Sequence, residues 1–441
     1  MTDLAVERLI LGDGIIGSYL ANRFEDEKIK FAILDIASEV DSLMKATSTH
    51  SNINSNLAKH RNSFRNTSGL VWGRGLMMIP ENEYLESTLP VDLESLRKSI
   101  STIVNNFLSK EIIALETYQS GENTFIDTLC IPRRIHDRFF YKDRDVKYKI
   151  YGQAAYSISP TKSGYKVKAV NPRSGKTLEI HTKEVFITLG ALESVRLLLN
   201  SRELFDGKET NIGRNLSDHV SMETASISSS EMSTLKHLSP RNRMNRIHPR
   251  FMHQPIGEAG LGGFSFIDFD PKAKKSSLRD KLLRRASGYE LSPGKSIAKT
   301  LLETEKSDAA FMELRPTSND LIPDLHLEFN VSDKFITDFR FAANQFVEHL
   351  RSLNINSISD FDMQSISLQN MFDSLHPTGV IPFLDKPELG EFGADFQLHN
   401  HPGIYCFSTG MLPRAFSVQP TLTIMAFAEI YLTHSYGVAR S

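Results

Sequence analysis

The fold of this chain is decided by one stretch near its start, Leu9-Ile10-Leu11-Gly12-Asp13-Gly14-Ile15-Ile16-Gly17. The three apolar residues predict a strand, the glycines a tight turn, and residues 18–24 a helix. A strand, a glycine turn and a helix in this order are typical of a dinucleotide-binding unit, because the N-terminus of the helix offers free N–H groups to a phosphate. The alternative is an ordinary turn between a strand and a helix, in which the glycines occur by chance.

Each glycine of this turn has a separate predicted role. Gly12 permits the turn, Gly14 lets a pyrophosphate approach the backbone, and Gly17 lets the helix pack closely on the strand. A second apolar run, residues 31–34, ends at Asp35. A carboxylate about 20 residues after the glycines can accept hydrogen bonds from a ribose. These features predict a dinucleotide, but they do not distinguish NAD from FAD.

The composition describes a globular protein of ordinary type. The chain has 441 residues, which is enough for two domains. Its formal net charge is −2, so no global field attracts nucleic acid, and we predict no nucleic-acid partner. Its two cysteines, Cys130 and Cys406, exclude a disulfide framework and disfavour a cysteine-rich metal site. We predict no metal centre.

The start of the chain shows no secretory signal. It has no basic n-region and no apolar h-region with a cleavage site, and it enters the first strand almost at once. No apolar run in the sequence is long enough to cross a bilayer. We therefore predict a cytoplasmic protein without a membrane span.

The first half of the chain predicts a small antiparallel sheet inserted into the dinucleotide fold. Residues 36–65 are polar and are predicted to be mostly loop, and a helix is predicted from Asp92 onwards, with Asp92 as its N-cap. Strands are predicted at residues 146–158, 165–170 and 177–188. The last of these leads into Thr188-Leu189-Gly190-Ala191 and a helix, which is a second junction where a cofactor could contact the backbone.

The second half predicts another domain over residues 220–375. It contains strand-like runs at residues 263–267 and 325–329 and a helix at residues 335–350. Two basic stretches, residues 236–250 and 272–285, are interpreted as solvated helix faces. The alternative is a patch that binds an anionic substrate such as a phosphorylated or lipid-linked sugar.

The end of the chain contains the residues that choose between the dinucleotides. Pro420 suits the first turn of a helix, and residues 421–432 are mostly apolar, which predicts a buried helix. Its positive N-terminal end, with Gln419 just before it, would stabilise an anion. A reduced flavin carries negative charge on its N1–C2 carbonyl edge, so this end of the helix suits a flavin.

The motifs together resemble those of the glucose–methanol–choline (GMC) family of FAD-dependent oxidoreductases, in the branch associated with sugars and polysaccharides. Besides the glycine turn and Asp35, the Thr188-Leu189-Gly190-Ala191 junction is similar to the family's second signature. Ile212-Gly213-Arg214-Asn215-Leu216-Ser217-Asp218-His219 is similar to its "VGRNLxDH". His376-Pro377-Thr378-Gly379 resembles its "HPxGT", and Gln419-Pro420-Thr421-Leu422-Thr423-Ile424-Met425-Ala426 resembles its "NPTLTIMA". The resemblance covers the FAD-binding parts well and the middle of the chain poorly.

The resemblance implies an α/β fold with FAD as the cofactor. It consists of a Rossmann-like FAD-binding domain and a second α+β substrate domain built on an antiparallel sheet. The implied FAD-binding domain is discontinuous and comprises residues 1–85, 146–220 and 375–441. Residues 86–145 would form a helical insertion, and residues 221–374 the substrate-binding domain.

The resemblance also implies the chemistry, which is oxidation of a CH–OH group by hydride transfer to flavin N5. His376 is the predicted base, because a neutral imidazole can accept the hydroxyl proton near neutral pH. Gln419 would hold the same oxygen and steady the developing alkoxide. His219 is predicted to be structural, as are His399 and His401. The predicted cofactor-binding residues are Gly12, Gly14, Ile15, Ile16, Gly17, Asp35, Val71, Trp72, Gly190, Ala191, Asp218, Ser408, Gly410, Pro420, Thr421 and Leu422.

Three features depart from the family pattern. Gln419 replaces the usual Asn or His, and Ser408-Thr409-Gly410 replaces "DAS", which puts one hydrogen bond to the flavin in doubt. The usual flavin loop is replaced by Ser68-Gly69-Leu70-Val71-Trp72-Gly73-Arg74-Gly75, whose "VWG" resembles the sugar-oxidising branches. A Thr-His-Trp sequence is absent, so covalent attachment of the flavin is not predicted.

Other functions remain open from the sequence. A nicotinamide-dependent dehydrogenase would leave the C-terminal motif unexplained. A flavin-dependent isomerase or lyase, or a non-catalytic flavoprotein of a polysaccharide or natural-product pathway, is compatible with the changes at Gln419 and Ser408. The predicted substrate is a small-molecule or glycan alcohol, a sugar or sugar-like polyol by the "VWG" resemblance. The sequence does not indicate the electron acceptor (oxygen, a quinone or a protein) or the oligomeric state.

Overall fold

The computed structural model describes residues 2–36, 47–55, 75–76, 78–109, 125–126, 129–130, 149–228, 246–247, 250–268, 296–315, 321–359 and 362–437. The described residues include six α-helices, which we label α1 (Ile15–Asp26), α2 (Glu81–Leu85), α3 (Leu93–Ser109), α4 (Gly190–Asn200), α5 (Asp333–Ser352) and α6 (Thr421–Tyr436). Short 3₁₀ turns lie at Arg202–Phe205, Met363–Ser365, Leu368–Asn370 and Thr409–Met411.

The strands fall into five sheets. In chain order they are β1 (Thr2–Ala5), β2 (Arg8–Leu11), β3 (Ala32–Asp35), β4 (Thr47–Ser51), β5 (Gly75–Leu76), β6 (Phe125–Ile126), β7 (Leu129–Cys130), β8 (Lys149–Tyr151), β9 (Ala154–Thr161), β10 (Gly164–Val170), β11 (Thr177–Thr182), β12 (Glu184–Ile187), β13 (His219–Ile227), β14 (Arg246–Ile247), β15 (Arg250–Met252), β16 (Gly263–Asp268), β17 (Ser296–Glu303), β18 (Phe311–Arg315), β19 (Asp324–Phe329), β20 (Ile358–Ser359), β21 (Phe372–Asp373), β22 (Gln397–Leu398) and β23 (His401–Cys406).

A six-stranded sheet contains strand β2, and the glycine turn follows the C-terminal end of that strand. Its strand order is β22-β23-β12-β2-β3-β8, and β23, β12, β2, β3 and β8 run parallel. Strands β2 and β3 are connected through α1, as the sequence predicts. Their side chains are buried, which is why the strands have continuous apolar runs instead of alternating ones.

The first and last helices of this arrangement pack together beside the sheet. Helix α6 is buried continuously from Leu422 to Leu432, because it is apolar around its whole circumference. Helix α3 also belongs to this core through Leu96, Ile103 and Phe107. Asp92 accepts the Ser95 N–H at its Oδ1 (2.7 Å), and so acts as the N-cap that the sequence predicts.

The predicted small antiparallel sheet is present, but one of its strands was predicted too long. Strands β9, β10 and β11 pair antiparallel, and β1 adds to β11 in parallel. The single strand predicted at residues 177–188 is two strands, β11 and β12, which belong to different sheets. Residues 146–158 are likewise divided, between β8 and β9, at Gly152 with φ +71°. Residues 146–148 lie outside the described part.

The second half of the chain builds a seven-stranded sheet. Its path is β20-β13-β17-β16-β15-β6, with β21 paired to β13, and its pairings are antiparallel. Helix α5 covers part of it through a separate apolar cluster that includes Phe346, Val347 and Leu350. The sequence predicted this helix and strand β16 at nearly their observed bounds.

Another strand was missed by the sequence prediction. Residues 36–65 were predicted to be mostly loop, but β4 lies within them and pairs in parallel with β19. Strand β18 completes that three-stranded sheet, and the remaining small sheet has the order β14-β7-β5. Over the described residues, none of the helices combines the length and the apolar character that a bilayer crossing needs. The second basic stretch, residues 272–285, lies entirely outside the described part, and so does most of the first, residues 236–250.

Candidate active site

The glycine turn has the close strand–helix contact that the sequence predicts. Gly12 has φ +97°, a conformation that favours glycine. A Cβ added to Gly17 would lie 1.9 Å from the carbonyl oxygen of Gly12, so only glycine fits there. Helix α1 starts at Ile15 with Gly14 at its N-cap position and no side-chain cap, which leaves its N-terminal N–H groups to other acceptors.

Two carboxylates lie beside this turn. The backbone N–H of Asp13 donates to Oδ1 of Asp35, at the end of β3 (3.2 Å). The Asp13 side chain is buried and accepts the Ser18 hydroxyl (2.7 Å), and its Oδ2 lies 3.5 Å from Nζ of Lys149 on β8. Sequence reasoning missed Lys149, whose position follows only from the pairing of β3 with β8.

The second junction predicted from the sequence lies directly against the first. The Thr188 hydroxyl is within hydrogen-bond distance of the carbonyl oxygens of Leu11 (2.8 Å) and Gly12 (3.0 Å). Gly190 has φ +72°, and no other described residue lies within 4 Å of the Cβ position it lacks. Ala191, in the first turn of α4, is buried. The two junctions therefore lie together at one edge of the parallel sheet, with no other described residue close to the Cβ position of Gly190.

The motifs at residues 212–219 and 376–379 pair with each other. Ser217 and Thr378 exchange backbone hydrogen bonds (3.1 and 2.8 Å), although 161 residues separate them. Gly213 donates to the carbonyl of Val380 (2.7 Å), and Gly379 to that of Leu412 (2.7 Å). The segment 212–219 and the segment 376–379 therefore run side by side, which places their polar ends together.

His376 is held through its backbone by a buried carboxylate. Its N–H lies 3.0 and 3.1 Å from the two oxygens of Asp218, and the N–H of His219 donates to the same carboxylate (2.6 Å). Burial and the neighbouring Asp373 raise the pKa of Asp218 well above its usual value. Leu375, just before His376, has φ +63°. Asp218, which the sequence predicts to bind the cofactor, thus contacts the backbone N–H of His376 and helps to orient that residue.

His219 was predicted to be structural, and its position brings it next to the candidate base. Its ring is fully buried, and its centroid lies 5.8 Å from that of His376 at an interplanar angle of 89°. Nε2 of His219 contacts the carbonyl oxygen of Phe416. Because a carbonyl oxygen can only accept, this nitrogen bears the hydrogen.

The described residues contain one group of three or more His, Cys, Asp or Glu side chains whose possible metal-ligand atoms all lie within 4.8 Å of one another. It consists of Asp218, His219 and His376. The carboxylate of Asp218 already accepts backbone N–H groups, and Nε2 of His219 donates to Phe416. The carboxylate and one ring nitrogen of the group are thus already engaged by the protein, and the two histidine rings lie edge to face.

The N-terminal end of α6 and the residue Gln419 ahead of it present a polar edge. Oε1 of Gln419 and Oγ1 of Thr423 are both buried, and neither has a hydrogen-bond partner among the described residues. Pro420 precedes the first helical residue, Thr421, and Leu422 is buried in the core. Buried polar atoms of this kind are rare unless something else satisfies them. Their position at a helix N-terminus suits an oxygen-bearing, electron-rich ligand.

The segment that replaces "DAS" packs against the segment of the candidate base. The Ser408 hydroxyl accepts the N–H of Gly410 (3.2 Å), and the Thr409 hydroxyl donates to the carbonyl of Pro377 (3.1 Å). Gly410 accepts the N–H of Ile381 (2.9 Å), and a Cβ on it would lie 3.0 Å from Val380. Gly410 therefore has a packing reason to be glycine.

Three charged residues at this site escaped the sequence prediction. Glu83 on α2 and Glu303 at the end of β17 are buried, and both accept N–H groups from residues 416–417, just ahead of Gln419. Arg414 forms an ion pair with Glu303. No local spacing could have indicated them, since Glu83 and Ser417 are 334 residues apart.

The described residues fit FAD. Helix α1 begins without a side-chain cap, Asp35 lies beside the glycine turn, no other described residue lies within 4 Å of the Cβ position of Gly190, and Oε1 of Gln419 is a buried atom that lacks a partner within the described part. Two residues predicted to bind the cofactor, Val71 and Trp72, lie outside the described residues. Ile15 is buried and Ile16 partly buried in the first turn of α1.

Comparisons with known proteins show what the fold resembles. No protein-family model matches the chain, and no curated protein matches it in sequence. Among solved structures, the chain is similar to pyridoxine 4-oxidase from Mesorbium loti, with a TM-score of 0.62 and 13% identity over 98% of this chain and 100% of that one. The match confirms a mixed α/β fold with several sheets.

Proposed function

We propose that this protein is an FAD-dependent oxidoreductase that oxidises a CH–OH group, and that its parallel sheet forms a Rossmann-like FAD-binding domain. The observation that supports this proposal most is the convergence of segments 212–219, 376–379 and 414–419 on the His219–His376 pair. In the GMC family, to which these motifs are similar, the corresponding histidine is catalytic. The fold match to an oxidase is consistent with that chemistry.

Bound FAD would supply a hydride acceptor for the carbon that is oxidised. The chain's own residues have the remaining tasks. The substrate hydroxyl proton passes to a ring nitrogen of His376, which the contact of its backbone with Asp218 orients. Gln419 holds the substrate oxygen as negative charge develops on it. The predicted roles of Gly12, Gly14, Gly17 and Asp35 are to hold the dinucleotide.

The proposed substrate class is a sugar or a sugar-like polyol. It rests on the resemblance of Val71-Trp72-Gly73 to sugar-oxidising branches of the family. Pyridoxine, the alcohol in the name of the structural neighbour, is the natural comparison compound. The domain bounds given above remain part of the proposal, with residues 221–374 as the substrate-binding domain.

The test of the proposed chemistry is the His376→Ala variant. We expect it to retain FAD and to slow flavin reduction about 10²–10⁴-fold in anaerobic stopped-flow experiments, because removal of a general base costs that much. The matched control is His434→Ala, which removes an exposed imidazole in the last turn of α6. An unchanged reduction rate in His376→Ala would exclude His376 as the base.

A further inference from the structure

Residues 414–417, which we name the anchor loop, end two positions before Gln419 and are held by two buried carboxylates. The N–H of Phe416 donates to Oε2 of Glu303, and that of Ser417 to Oε2 of Glu83, both at 2.8 Å. The Ser417 hydroxyl also contacts Glu83. Glu303 is 1% exposed and Glu83 5% exposed. The loop is thus fixed from two separate elements, β17 and α2.

Both oxygens of the Glu303 carboxylate accept hydrogen bonds. Besides Phe416, it contacts the guanidinium of Arg414, whose Nε lies 3.1 Å from Oε2, and the N–H of Gly262 at 2.5 Å. Arg414 in turn donates to the carbonyl of Gly260 (2.8 Å). A charge at this depth is tolerated only when it is paired and hydrogen-bonded in this way. The arrangement ties the anchor loop to residues 260–262, next to the seven-stranded sheet.

The anchor loop has a backbone that would not hold its shape alone. Phe416 has φ +58°, a left-handed conformation that costs a bulky residue free energy and persists only where surrounding contacts fix it. The two carboxylates supply those contacts at consecutive N–H groups. The carbonyl of Phe416 is thereby aimed at Nε2 of His219.

The contacts continue from the anchor loop to the candidate base. His219 donates to Phe416 through its ring and to Asp218 through its backbone, and its ring lies edge to face against His376. A change in the peptide plane of Phe416 would remove the acceptor that fixes the His219 ring. The His376 ring would then lose one of the side chains that pack against it and restrict its orientation.

We propose that Glu303 and Glu83 are positioning residues that hold the anchor loop so that Phe416 fixes the His219–His376 pair. The significance of the proposal for catalysis rests on the proposed function, because that function makes His376 the base. The geometric claim itself needs neither FAD nor substrate. The two can therefore fail separately.

The experiment is NMR of the full chain labelled with ¹⁵N-histidine, on Glu303→Gln and Glu83→Gln. The His219 and His376 ring signals are assigned from their loss in His219→Asn and His376→Ala. In the unsubstituted protein we expect a His219 Nε2–H that exchanges slowly with solvent. In Glu303→Gln the new amide presents N–H groups to donors, so we expect that exchange to accelerate about tenfold or more. The ¹⁵N shifts of the His376 ring should change with it.

Two controls separate positioning from general loss of stability. Glu179 lies on β11, in a different sheet, and is the partly buried partner of Lys166. Glu179→Gln removes this carboxylate and should leave both histidine signals unchanged. Ser417→Ala removes one donor to Glu83 and leaves both carboxylates in place, so we expect it to accelerate exchange of the His219 Nε2–H less than Glu303→Gln does. This variant tests the proposal if Glu303→Gln fails to fold. Unchanged His219 exchange and His376 shifts in folded Glu303→Gln and Glu83→Gln would overturn the proposal. A failure of His376→Ala to slow reduction would overturn only the proposed function.

Discussion

At the scale of single residues, Gly17 is the glycine whose missing Cβ would make the shortest contact among the glycines of the described part. We predict that Gly17→Ala lowers the free energy of unfolding by about 3 kcal/mol, the upper range for overpacking, because its Cβ would lie 1.9 Å from the Gly12 carbonyl oxygen. FAD binding should weaken as well, since helix α1 would move away from the turn. Urea unfolding and FAD titration measure the two effects.

The control for Gly17 is Gly175→Asn. Gly175 has φ +66° at an exposed turn, no atom of the described part lies within 4 Å of the missing Cβ, and asparagine tolerates this conformation. We expect little change in either measurement. Equal losses in both variants would show that the contact with Gly12 is not what restricts Gly17.

The sequence predicts individual residues of the site unevenly. His376 and Asp218 could be found because each belongs to a specific octapeptide or tetrapeptide motif. The closeness of His219 to His376, and the roles of Glu83 and Glu303, could not be found. These contacts join residues that are more than 100 positions apart, and neither periodicity nor spacing records them.

At the scale of elements, helices α1 and α6 are joined by a buried ion pair. Arg23 donates to Glu429 through Nε (3.0 Å) and Nη2 (2.9 Å), and the Tyr19 hydroxyl donates to the same carboxylate (2.8 Å). We predict that Arg23→Met lowers the free energy of unfolding by about 3–5 kcal/mol, because Glu429 would be left buried without its cation. Urea denaturation measures the loss.

Two further variants decide whether burial is the cause. Adding Glu429→Leu to Arg23→Met should recover much of the loss, since no charge then stays buried. Arg97→Met breaks the exposed pair with Glu81 and should cost at most about 1 kcal/mol. If Arg97→Met costs as much as Arg23→Met, burial does not explain the strength of the pair.

Element prediction succeeded where the periodicity was local. Helices α3, α5 and α6 have clear apolar patterns, α3 also has its predicted cap Asp92, and the structure confirms these helices. The prediction was wrong at residues 177–188, where β-type residues continue through Lys183. The change of sheet there is set by tertiary pairing, β11 with β10 and β12 with β2. Strand β4 was missed for the same reason, because its partner β19 lies far along the chain.

At the scale of the whole molecule, the parallel sheet collects strands from the start, the middle and the end of the chain. One apolar core extends from Leu9 to Leu432 and contains residues from both halves. The resemblance to the GMC family implies a discontinuous FAD-binding domain of this kind. The division into an FAD-binding and a substrate-binding domain stays a prediction.

A buried histidine in the seven-stranded sheet gives the stability of the molecule a defined pH dependence. Burial lowers the pKa of His253, which lies 2.8 Å from the Ser265 hydroxyl, from 6.5 to about 4. Between these values the unfolded chain binds a proton that the folded chain does not. The contribution of His253 is therefore complete above pH 6.5 and is lost as the pH falls toward 4, by about 3 kcal/mol in total.

The measurement is the free energy of unfolding at several pH values from 7 to 4, for the unsubstituted protein and for His253→Gln. We expect the two curves to be parallel above pH 6.5 and to converge below it, because the variant lacks this titration. Curves that stay parallel over the whole range would contradict the low pKa of His253 in the folded state.

The central claim is that the fold binds FAD and uses it to oxidise an alcohol. The most direct measurement is the visible absorbance spectrum of the purified protein, kept anaerobic, before and after the addition of sugars, polyols and pyridoxine. We predict an oxidised flavin spectrum that one of these alcohols bleaches. A protein that stays colourless after FAD is added would contradict the claim.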